Sequence, residues 1–307
     1  MISIFRKSIF LILLSFMTVN LNGQSLLWIV EGNGLEKPSY LYGSMHEMCK
    51  QDFKWDPKLD AVCDYTRQVY FEVDLDNIFE FFRNNKFSKV SDKEYSLQKL
   101  YSEQDYKLIQ SYFQDSLKVK IEKYDNRSPL FLMLSASGRA MNNTCKRRKS
   151  YEIEFMKFYR KGSLLLENSG RIFGLETACE RDSILRIVPF ERQAEILLRI
   201  VKETYNLNNS STNTENSYNQ MIKEYFEMDI EKIWASSKKE IEYEDFFKVL
   251  LEDRNSLWIG KIPKIMTKKS TFFVVGVAHL GGEKGIVNLL KKQGYTVRPL
   301  KLDMQKW

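Results

Sequence analysis

The sequence predicts an α/β fold: a mixed sheet built from N- and C-terminal strands, with a large helical insertion in the middle. Three observations predict it. Short apolar, strand-like segments cluster near both ends of the 307-residue chain. Helical periodicity dominates the middle, over about residues 77–165 and 180–266. We find no internal repeat and no linker rich in Pro, Gly or Ser, so residues 25–307 are expected to form one domain.

The first 24 residues have the layout of a signal peptide. Arg6 and Lys7 precede an apolar stretch from Ile9 to Val19, and small and polar residues follow it. This stretch is shorter than the ~20 residues that a membrane span needs. We therefore expect cleavage after residue 24 and export to the periplasm or out of the cell. The alternative is an uncleaved N-terminal anchor, and no other apolar segment is long enough to cross a membrane.

The mature chain opens with two predicted strands joined by a turn. In "LLWIVEGNGLEKPSYLYGSMH" (26–46), "EGNG" and "EKPS" supply residues typical of turns between two runs of strand-forming residues. A third strand is predicted in "RQVYFEVDLD" (67–76), where apolar side chains alternate with Glu72 and Asp74.

The middle of the chain is predicted to be mostly helical. Ser102 is expected to cap one helix, and Ser128 with Pro129 to begin another. The segment "YEIEFMKFYRKG" is expected to end its helix at Gly162. Between the helices, "SGRIFGLETACE" (169–180) is predicted to form a short strand that ends at Gly174 and leads to Glu176.

Helical periodicity returns in "FERQAEILLRIVKETY" (190–205). The polar tract "NLNNSSTNTENS" (206–217) is predicted to be a mobile loop, and residues 243–266 a single amphipathic helix. The chain then ends in strand, helix and strand: "TFFVVGVAH", "EKGIVNLLKKQG" and "YTVRPLKL". This order predicts a compact βαβ-like unit.

Charge restricts the classes of partner. Lys and Arg exceed Asp and Glu by 47 to 40, a formal net charge of +7. The densest basic run, "CKRRKS" (145–150), has no interleaved aromatic residues. We interpret it as a solvated face and predict no nucleic-acid partner.

The four cysteines, Cys49, Cys63, Cys145 and Cys179, form no C-x-x-C pair, which argues against a zinc ribbon or a thioredoxin-like site. An even number of cysteines in an exported chain favours disulfides. Our hypothesis pairs Cys49 with Cys63 and Cys145 with Cys179, because the first pair closes a short loop. The alternative is four buried thiols.

Both histidines of the chain follow an apolar strand and a glycine at the same spacing. His46 ends "YGSMH" and His279 ends "VGVAH", so Gly43 and Gly276 each stand three residues before a histidine. Reactive groups collect at strand ends in α/β sheets, and glycine lets the backbone turn there without a side-chain clash. We expect both rings to reach one cleft. The alternative is that each histidine is a hydrogen-bonded structural residue.

Two imidazoles and a carboxylate suffice to hold a catalytic divalent metal with positions open for water and substrate. Glu72 and Glu176 are the best-placed carboxylates. We favour Glu72 as the ligand and Glu176 as a base or outer partner, and the reverse order stays open. The alternatives are an edge-strand charge for Glu72 and a helix N-terminal carboxylate for Glu176. Arg254 and Asn255 could simply lie on a solvated helix face, where Arg254 pairs with a neighbouring acid.

These segments resemble the TraB/GumN family, which includes the pheromone-shutdown proteins and the TIKI metalloproteases. The resemblance rests on the two G-x-x-H segments and on "VYFEVD", "GLET" and "LLEDRN", and it extends from about Leu26 to Leu300. It implies a sheet-based domain and, in the TIKI branch, manganese- or cobalt-dependent hydrolysis of peptide bonds. It also implies roles at matching positions: His46, Glu72 and His279 at the metal; Gly43 and Gly276 in the turns; Glu176, Arg254 and Asn255 lining the site, with Arg254 stabilising negative charge on a carbonyl oxygen.

The leading hypothesis is therefore an exported metal-dependent hydrolase, a peptidase that binds one divalent cation (Mn, Co or Zn) and acts on a peptide or protein. Such an ion lowers the pKa of bound water and polarises a carbonyl. Two other functions stay open: a protein that binds a peptide or haem without turnover, and an esterase that uses histidine as a general base.

Overall fold

The computed structural model describes residues 24–75, 89–90, 92–133, 145–160, 170–208, 211–241 and 243–306. The predicted signal peptide lies outside these ranges except for Gln24, and so do the predicted helix end at Gly162 and parts of the helical insertion.

The described residues contain ten strands. They are β1 (Leu27–Glu31), β2 (Ser39–Ser44), β3 (Met48–Cys49), β4 (Lys54–Trp55), β5 (Val69–Val73), β6 (Arg148–Lys149), β7 (Ile172–Glu176), β8 (Phe272–Gly276), β9 (Thr296–Leu300) and β10 (Gln305–Lys306). Six of them form one sheet in the order β7-β5-β8-β2-β1-β9. In this sheet β2, β5, β7 and β8 are parallel, whereas β1 is antiparallel to both of its neighbours. The predicted mixed α/β fold is confirmed.

The first two strands form the predicted N-terminal hairpin, with Leu27 opposite Tyr42. The chain leaves β1 through Gly32, Asn33 and Gly34, whose φ angles are 77°, 46° and 81°. Glycine adopts this left-handed backbone without a steric penalty, and asparagine tolerates it. The residues of "EGNG" are therefore the types that the left-handed backbone of this turn requires.

The helices surround this sheet. They are α1 (Pro57–Tyr65), α2 (Glu103–Leu117), α3 (Tyr151–Tyr159), α4 (Ala178–Leu185), α5 (Phe190–Asn208), α6 (Ser211–Glu227), α7 (Ile230–Ile241), α8 (Glu244–Phe247), α9 (Arg254–Ile259), α10 (Ile262–Met266) and α11 (Ile286–Lys292). A π-helical segment, Lys248–Asp253, joins α8 to α9, and short 3-10 turns cover Leu97–Leu100, Ile121–Tyr124 and Val277–His279.

Two large buried apolar clusters form most of the core of the described residues, and a third, small cluster surrounds Cys49 and Cys145. One of the large clusters surrounds the sheet and includes the fully buried Leu41, Val274 and Trp258. The other lies within the helical insertion, where residues such as Ile109 and Leu197 are also fully buried. The helical insertion therefore stabilises itself by burying its own apolar surface.

The C-terminal strand–helix–strand unit is present, but its two strands are not neighbours. β8 lies between β5 and β2, whereas β9 pairs with β1 at the sheet edge. The N-terminal hairpin is inserted between them. One further strand, β7, comes from the middle of the chain rather than from either end.

Three predicted elements differ from the structure in their extent or type. β7 continues through Gly174 to Glu176, because Gly174 pairs with Phe71 in the parallel ladder. The polar tract 206–217 is largely helical, since α5 reaches Asn208 and α6 begins at Ser211. The low helix propensity of Asn, Ser and Thr, about 0.5 kcal/mol each relative to Ala, is overridden by propagation from the adjoining helices.

The predicted helix over 243–266 is also interrupted. It contains the π-helical segment and breaks between Ile259 and Ile262. Pro263 lies in the first turn of α10, where a missing N–H costs nothing, whereas inside a longer helix its ring would clash with the preceding turn.

The predicted disulfide pairing is wrong. Cys49 is bonded to Cys145, while Cys63 and Cys179 are thiols. Strand pairing explains the choice, because β3 and β6 place Cys49 opposite Arg148, close to Cys145. Cys63 is instead buried in the sheet cluster on α1.

Across the ranges given above, we find no helix with both the length and the apolar character that a membrane crossing requires.

Candidate functional site

The residues singled out from the sequence meet at one edge of the sheet. His46 lies two residues after β2, and Glu72 is the last residue but one of β5. Glu176 ends β7, and His279 ends the 3-10 turn after β8. These four strands are parallel, so their carboxyl ends lie at the same edge. Arg254 and Asn255 begin α9, which packs beside this edge.

Glu72 lies at the centre of the cluster. Its Oε1 atom is 3.5 Å from Nε2 of His46 and 3.6 Å from Nε2 of His279. The same oxygen accepts the backbone N–H of Gly276 at 2.8 Å, and Oε2 accepts from Nη2 of Arg254 at 2.6 Å. Burial alone would raise the pKa of Glu72, but Arg254 and the neighbouring histidines hold it well below its usual range. Glu72 is therefore an anion in contact with both imidazoles.

His279 is buried and has a defined tautomer. Asn255 donates from Nδ2 to the carbonyl oxygens of His279 and Lys284, which leaves its Oδ1 to accept from Nδ1–H of His279 at 2.7 Å. The Nε2 lone pair then accepts from Nη1 of Arg254 at 3.2 Å. Burial lowers the pKa of His279 to about 3, so the ring is neutral. Trp258 packs against it, with ring centroids 4.5 Å apart.

His46 is the exposed member of the pair, with 62% of its side chain accessible. Its Nδ1 atom is 2.7 Å from Oε1 of Glu152. Partial burial would lower the pKa of His46, but the carboxylates of Glu152 and Glu72 raise it to about 9. Glu152 is fixed in turn, because it accepts from Ser44 at 2.5 Å and from Ser150 at 2.7 Å. The two imidazoles thus expose their Nε2 atoms to the same carboxylate.

Arg254 connects both glutamates, and all five of its N–H donors are used. Nε and Nη2 donate to Oε1 of Glu176 at 2.9 and 2.6 Å, and Nη2 also donates to Glu72. Nη1 donates to the carbonyl oxygen of Leu250 and to His279. Arg254 is 4% exposed, so the alternative of a solvated surface pair is wrong. In this state the guanidinium holds site residues rather than offering a donor to substrate.

Glu176 lies behind Arg254. Its second oxygen, Oε2, accepts from Nε1 of Trp258 at 3.1 Å. Burial raises the pKa of this carboxyl against the opposing effect of Arg254. Both oxygens of Glu176 are thus occupied, and this arrangement suits a residue that positions Arg254.

A cavity of about 1230 Å³ opens beside the cluster. The polar groups that line it include His46, Glu72, Glu152, Arg254 and His279. Its apolar wall includes Met45, Leu75, Met221, Ile233 and Val277. Glu176 and Asn255 are not among the residues that line the cavity. They hold Arg254 and His279, which line it, through hydrogen bonds.

One family model accounts for almost the whole chain. The model described as the TraB/PrgY/gumN family matches residues 26–299. The chain belongs to this family. No curated protein and no solved structure gives a significant match.

The two motif glycines of this TraB/PrgY/gumN chain are required for space. Neither Gly43 nor Gly276 has a positive φ. A Cβ atom on Gly43 would lie 2.9 Å from Cγ2 of Val277, and one on Gly276 would lie 3.1 Å from Nε2 of His46 and 3.2 Å from Oε1 of Glu72. Gly43 thus lets the turn that carries His279 pack on β2, and Gly276 leaves room inside the cluster itself.

Within the described ranges, no group of three or more His, Cys, Asp or Glu side chains is arranged so that it could hold a metal ion. The chemistry of the donors nevertheless fits a divalent transition metal, since two imidazole nitrogens and a carboxylate are among its usual ligands. Both Nδ1 atoms are already hydrogen-bonded to oxygen acceptors, as is typical of histidines that bind a metal through Nε2. Arg254 occupies the lone pair of His279, so an ion would have to displace that one hydrogen bond.

Sequence reasoning missed Glu152, the partner of His46. It stands in the first turn of α3 beside Glu154, and both are ordinary N-terminal carboxylates by sequence. Of the two, only Glu152 points fully inward, and 7% of this residue is exposed. The N-cap residue Ser150 identifies the start of the helix but does not tell which carboxylate faces the cavity.

Proposed function

We propose that this protein is an exported metal-dependent hydrolase, a peptidase that binds one divalent cation (Mn, Co or Zn) through His46, Glu72 and His279. One observation carries the proposal: a single carboxylate oxygen lies 3.5 and 3.6 Å from the two Nε2 atoms. Ligands ~2.0–2.2 Å from a tetrahedral ion are themselves about 3.3–3.6 Å apart. Glu72 therefore already stands at ligand-to-ligand distance from each imidazole.

A bound ion of this kind supplies a nucleophilic water at neutral pH and polarises a carbonyl. The chain's own residues prepare the site for this chemistry. Asn255 keeps the proton of His279 on Nδ1, and Glu152 accepts the Nδ1 proton of His46, so that each Nε2 is directed towards Glu72. Arg254 lines the cavity, and its Nη1–H can donate to a substrate carbonyl oxygen once His279 binds another group.

The size and the lining of the cavity support a peptide substrate. Its volume of about 1230 Å³ exceeds the roughly 300–1,000 Å³ of common small-molecule pockets. Met45 and Met221 give the wall two flexible apolar side chains, which adapt to substrate side chains of different shape.

Export is part of the proposal. Disulfides persist in oxidising compartments, so the Cys49–Cys145 bond fits a periplasmic or secreted protein. We propose that residues 1–24 are removed and that residues 25–307 form the working domain.

Metal binding is the first test. Equilibrium dialysis against Mn, Co and Zn should give one bound ion per chain, and His46→Ala and His279→Ala should each weaken binding by at least about 100-fold, above the 10–100-fold typical of outer partners. The control is Glu283→Gln, since that side chain is 88% exposed and lies on the surface. Retention of full affinity by both histidine variants would contradict a shared site.

Turnover is the second test. Incubation of the metal-loaded protein with a diverse peptide mixture should yield new cleavage products by mass spectrometry, and a chelator should abolish them. The saturation of Arg254, whose five donors are all used, favours one alternative: a protein that binds a peptide without cleaving it. Peptide retention without new products would support that alternative.

A further inference from the structure

The exposed histidine is held by a segment far away in sequence. His46 lies in the connection from β2 to β3, and Glu152 lies 106 residues further on, at the start of α3. Because 62% of the His46 side chain is accessible, packing alone does not fix its ring. The hydrogen bond to Glu152 supplies the missing constraint.

A two-stranded ribbon joins the two segments. β3 pairs with β6, so that Met48 lies opposite Lys149 and Cys49 opposite Arg148. Arg148 also pairs with Glu47 at 2.5 Å. The ribbon begins two residues after His46 and ends three residues before Glu152.

The Cys49–Cys145 disulfide closes this ribbon covalently. A two-residue pairing is too short to be stable by itself. The bond joins residues 96 apart in sequence, and a cross-link that closes so long a loop removes much of the conformational freedom of the unfolded chain. The disulfide therefore keeps the His46 segment against the Glu152 segment.

The acceptor on each imidazole is chemically different. Glu152 presents a carboxylate to His46, whereas Asn255 presents a neutral amide oxygen to His279. A carboxylate on Nδ1–H makes Nε2 a stronger electron donor than an amide does. The exposed imidazole thus has the more basic Nε2 atom and the buried imidazole the less basic one.

We propose that Glu152 is the positioning residue of His46, and that the ribbon closed by Cys49–Cys145 holds this pair in register. The hydrogen bond between Nδ1–H and Glu152 fixes the ring orientation, so that Nε2 faces Glu72. The consequence for metal affinity rests on the proposed function, but the orientation of His46 does not.

The test uses ¹⁵N-histidine NMR of the whole metal-free chain, which contains two histidines and therefore two imidazole signal sets. Glu152→Gln should move the imidazole ¹⁵N shifts of His46, which report hydrogen bonding and protonation at each ring nitrogen, and leave those of His279 in place. Glu154→Gln is the matched control, since Glu154 lies on the same turn of α3 but pairs with Lys149 and Lys157. It should move neither signal set.

The disulfide is tested with Cys49→Ser/Cys145→Ser, and Cys179→Ser is the control because Cys179 is a thiol. The double variant should broaden or shift the His46 signals, with the His279 signals reporting that the sheet is still folded. If the double variant does not fold, Glu152→Gln decides the question. Unchanged His46 shifts in Glu152→Gln would overturn the proposal.

Metal affinity separates this inference from the proposed function. If the protein binds Mn, Co or Zn, Glu152→Gln should weaken the affinity by about 10–100-fold, and Glu154→Gln by less than twofold. If no metal binds while the His46 shifts still move in Glu152→Gln, the positioning role stands and the proposed function fails. An equal affinity for Glu152→Gln and the wild type would overturn the positioning role at the metal.

Discussion

The two imidazoles of this chain are held by different acceptors and carry different charges. Burial lowers the pKa of His279 to about 3, whereas the carboxylate of Glu152 outweighs burial and raises the pKa of His46 to about 9. At neutral pH the metal-free site therefore contains one neutral and one positively charged ring. The anionic Glu72 lies within 3.6 Å of both.

The buried ring predicts acid sensitivity of the metal-free protein. His279 stays neutral in the folded state and binds a proton when it unfolds, so it contributes stability above its unfolded pKa of about 6.5. This contribution is lost as the pH falls from about 6.5 towards 3. Between pH 6 and 5, the free energy of unfolding should fall by up to ~1.4 kcal/mol through this group. Urea unfolding at each pH measures it.

His279→Gln is the comparison for this prediction, because it removes the titrating ring while the other acidic and basic groups remain. Its free energy of unfolding should depend less steeply on pH between 5 and 6. Equal slopes for the two proteins would show that His279 titrates normally in the folded state.

A substitution of Gly276 by alanine should affect metal binding more than the stability of the fold. Its backbone, at φ −55° and ψ 135°, is accessible to alanine. A methyl group there would nevertheless lie 3.1 Å from Nε2 of His46 and 3.2 Å from Oε1 of Glu72. We expect Gly276→Ala to weaken metal binding at least about tenfold, an effect of the size seen when the partners of metal ligands are changed, and to change the free energy of unfolding by less than ~1 kcal/mol.

Gly260→Ala is the matched control, because a methyl group there meets only the carbonyl oxygen of Leu257, at 3.4 Å. It should bind metal as the wild type does. Dialysis and urea unfolding on the same samples check both halves, and wild-type affinity in Gly276→Ala would contradict the steric role of this glycine.

At the scale of elements, the start of α4 fixes the position of Glu176. Thr177 accepts from the backbone of Glu180, and Glu180 accepts from the backbone of Thr177, which is a capping box directly after β7. The strand therefore ends at Glu176 in one defined backbone conformation. Lys261 adds a hydrogen bond to the carbonyl oxygen of Leu175 at 2.8 Å.

The capping box predicts a local stability effect. Thr177→Ala leaves the N–H of Glu180 without its acceptor, and we expect a loss of about 1 kcal/mol in the free energy of unfolding. Thr177→Ser keeps the hydroxyl and should lose less than half of that amount. Equal losses in the two variants, measured by urea unfolding, would assign the effect to the lost methyl group instead.

The helix that carries Arg254 shows why periodicity alone does not identify which residues face inward. The π-helical segment Lys248–Asp253 stands directly before Arg254. One extra residue in a turn rotates everything after it by about 100° around the helix axis. The periodicity of an amphipathic α-helix assumes 3.6 residues per turn throughout, so it cannot tell that Arg254 and Asn255 face inward.

At the scale of the molecule, the site joins strands from both ends of the chain. β2 carries His46, β8 carries His279, and the two strands are direct neighbours in the sheet. An ion bound there would cross-link segments more than 200 residues apart in sequence. Metal should therefore stabilise the fold as a whole.

The expected result is a rise in melting temperature on addition of Mn, Co or Zn. At a free concentration 100 times the Kd, the gain is about 2.7 kcal/mol, which corresponds to roughly 4–5 °C for a domain of this size. His46→Ala and His279→Ala should show no such shift at the same concentration. A shift of equal size in both variants would place the ion elsewhere.

The sequence was sufficient for much of this picture. Apolar runs gave the sheet strands, "EGNG" gave the hairpin turn, and the equal spacing of His46 and His279 indicated a common edge. It was not sufficient for the cysteine pairing, the helical state of the tract 206–217, or the partner of His46. These depend on contacts between distant segments, which no local pattern contains.

By itself, the sequence determined which residue types stand at the ends of which strands, because strand periodicity and glycine spacing are local properties of the chain. Only the tertiary structure decided how they act together. The parallel order of β7, β5, β8 and β2 brings the carboxyl ends to one edge, and the buried Arg254 then satisfies two carboxylates and an imidazole at once. A buried charge is stable only with such partners, and partners from distant segments become neighbours only when the sheet has formed.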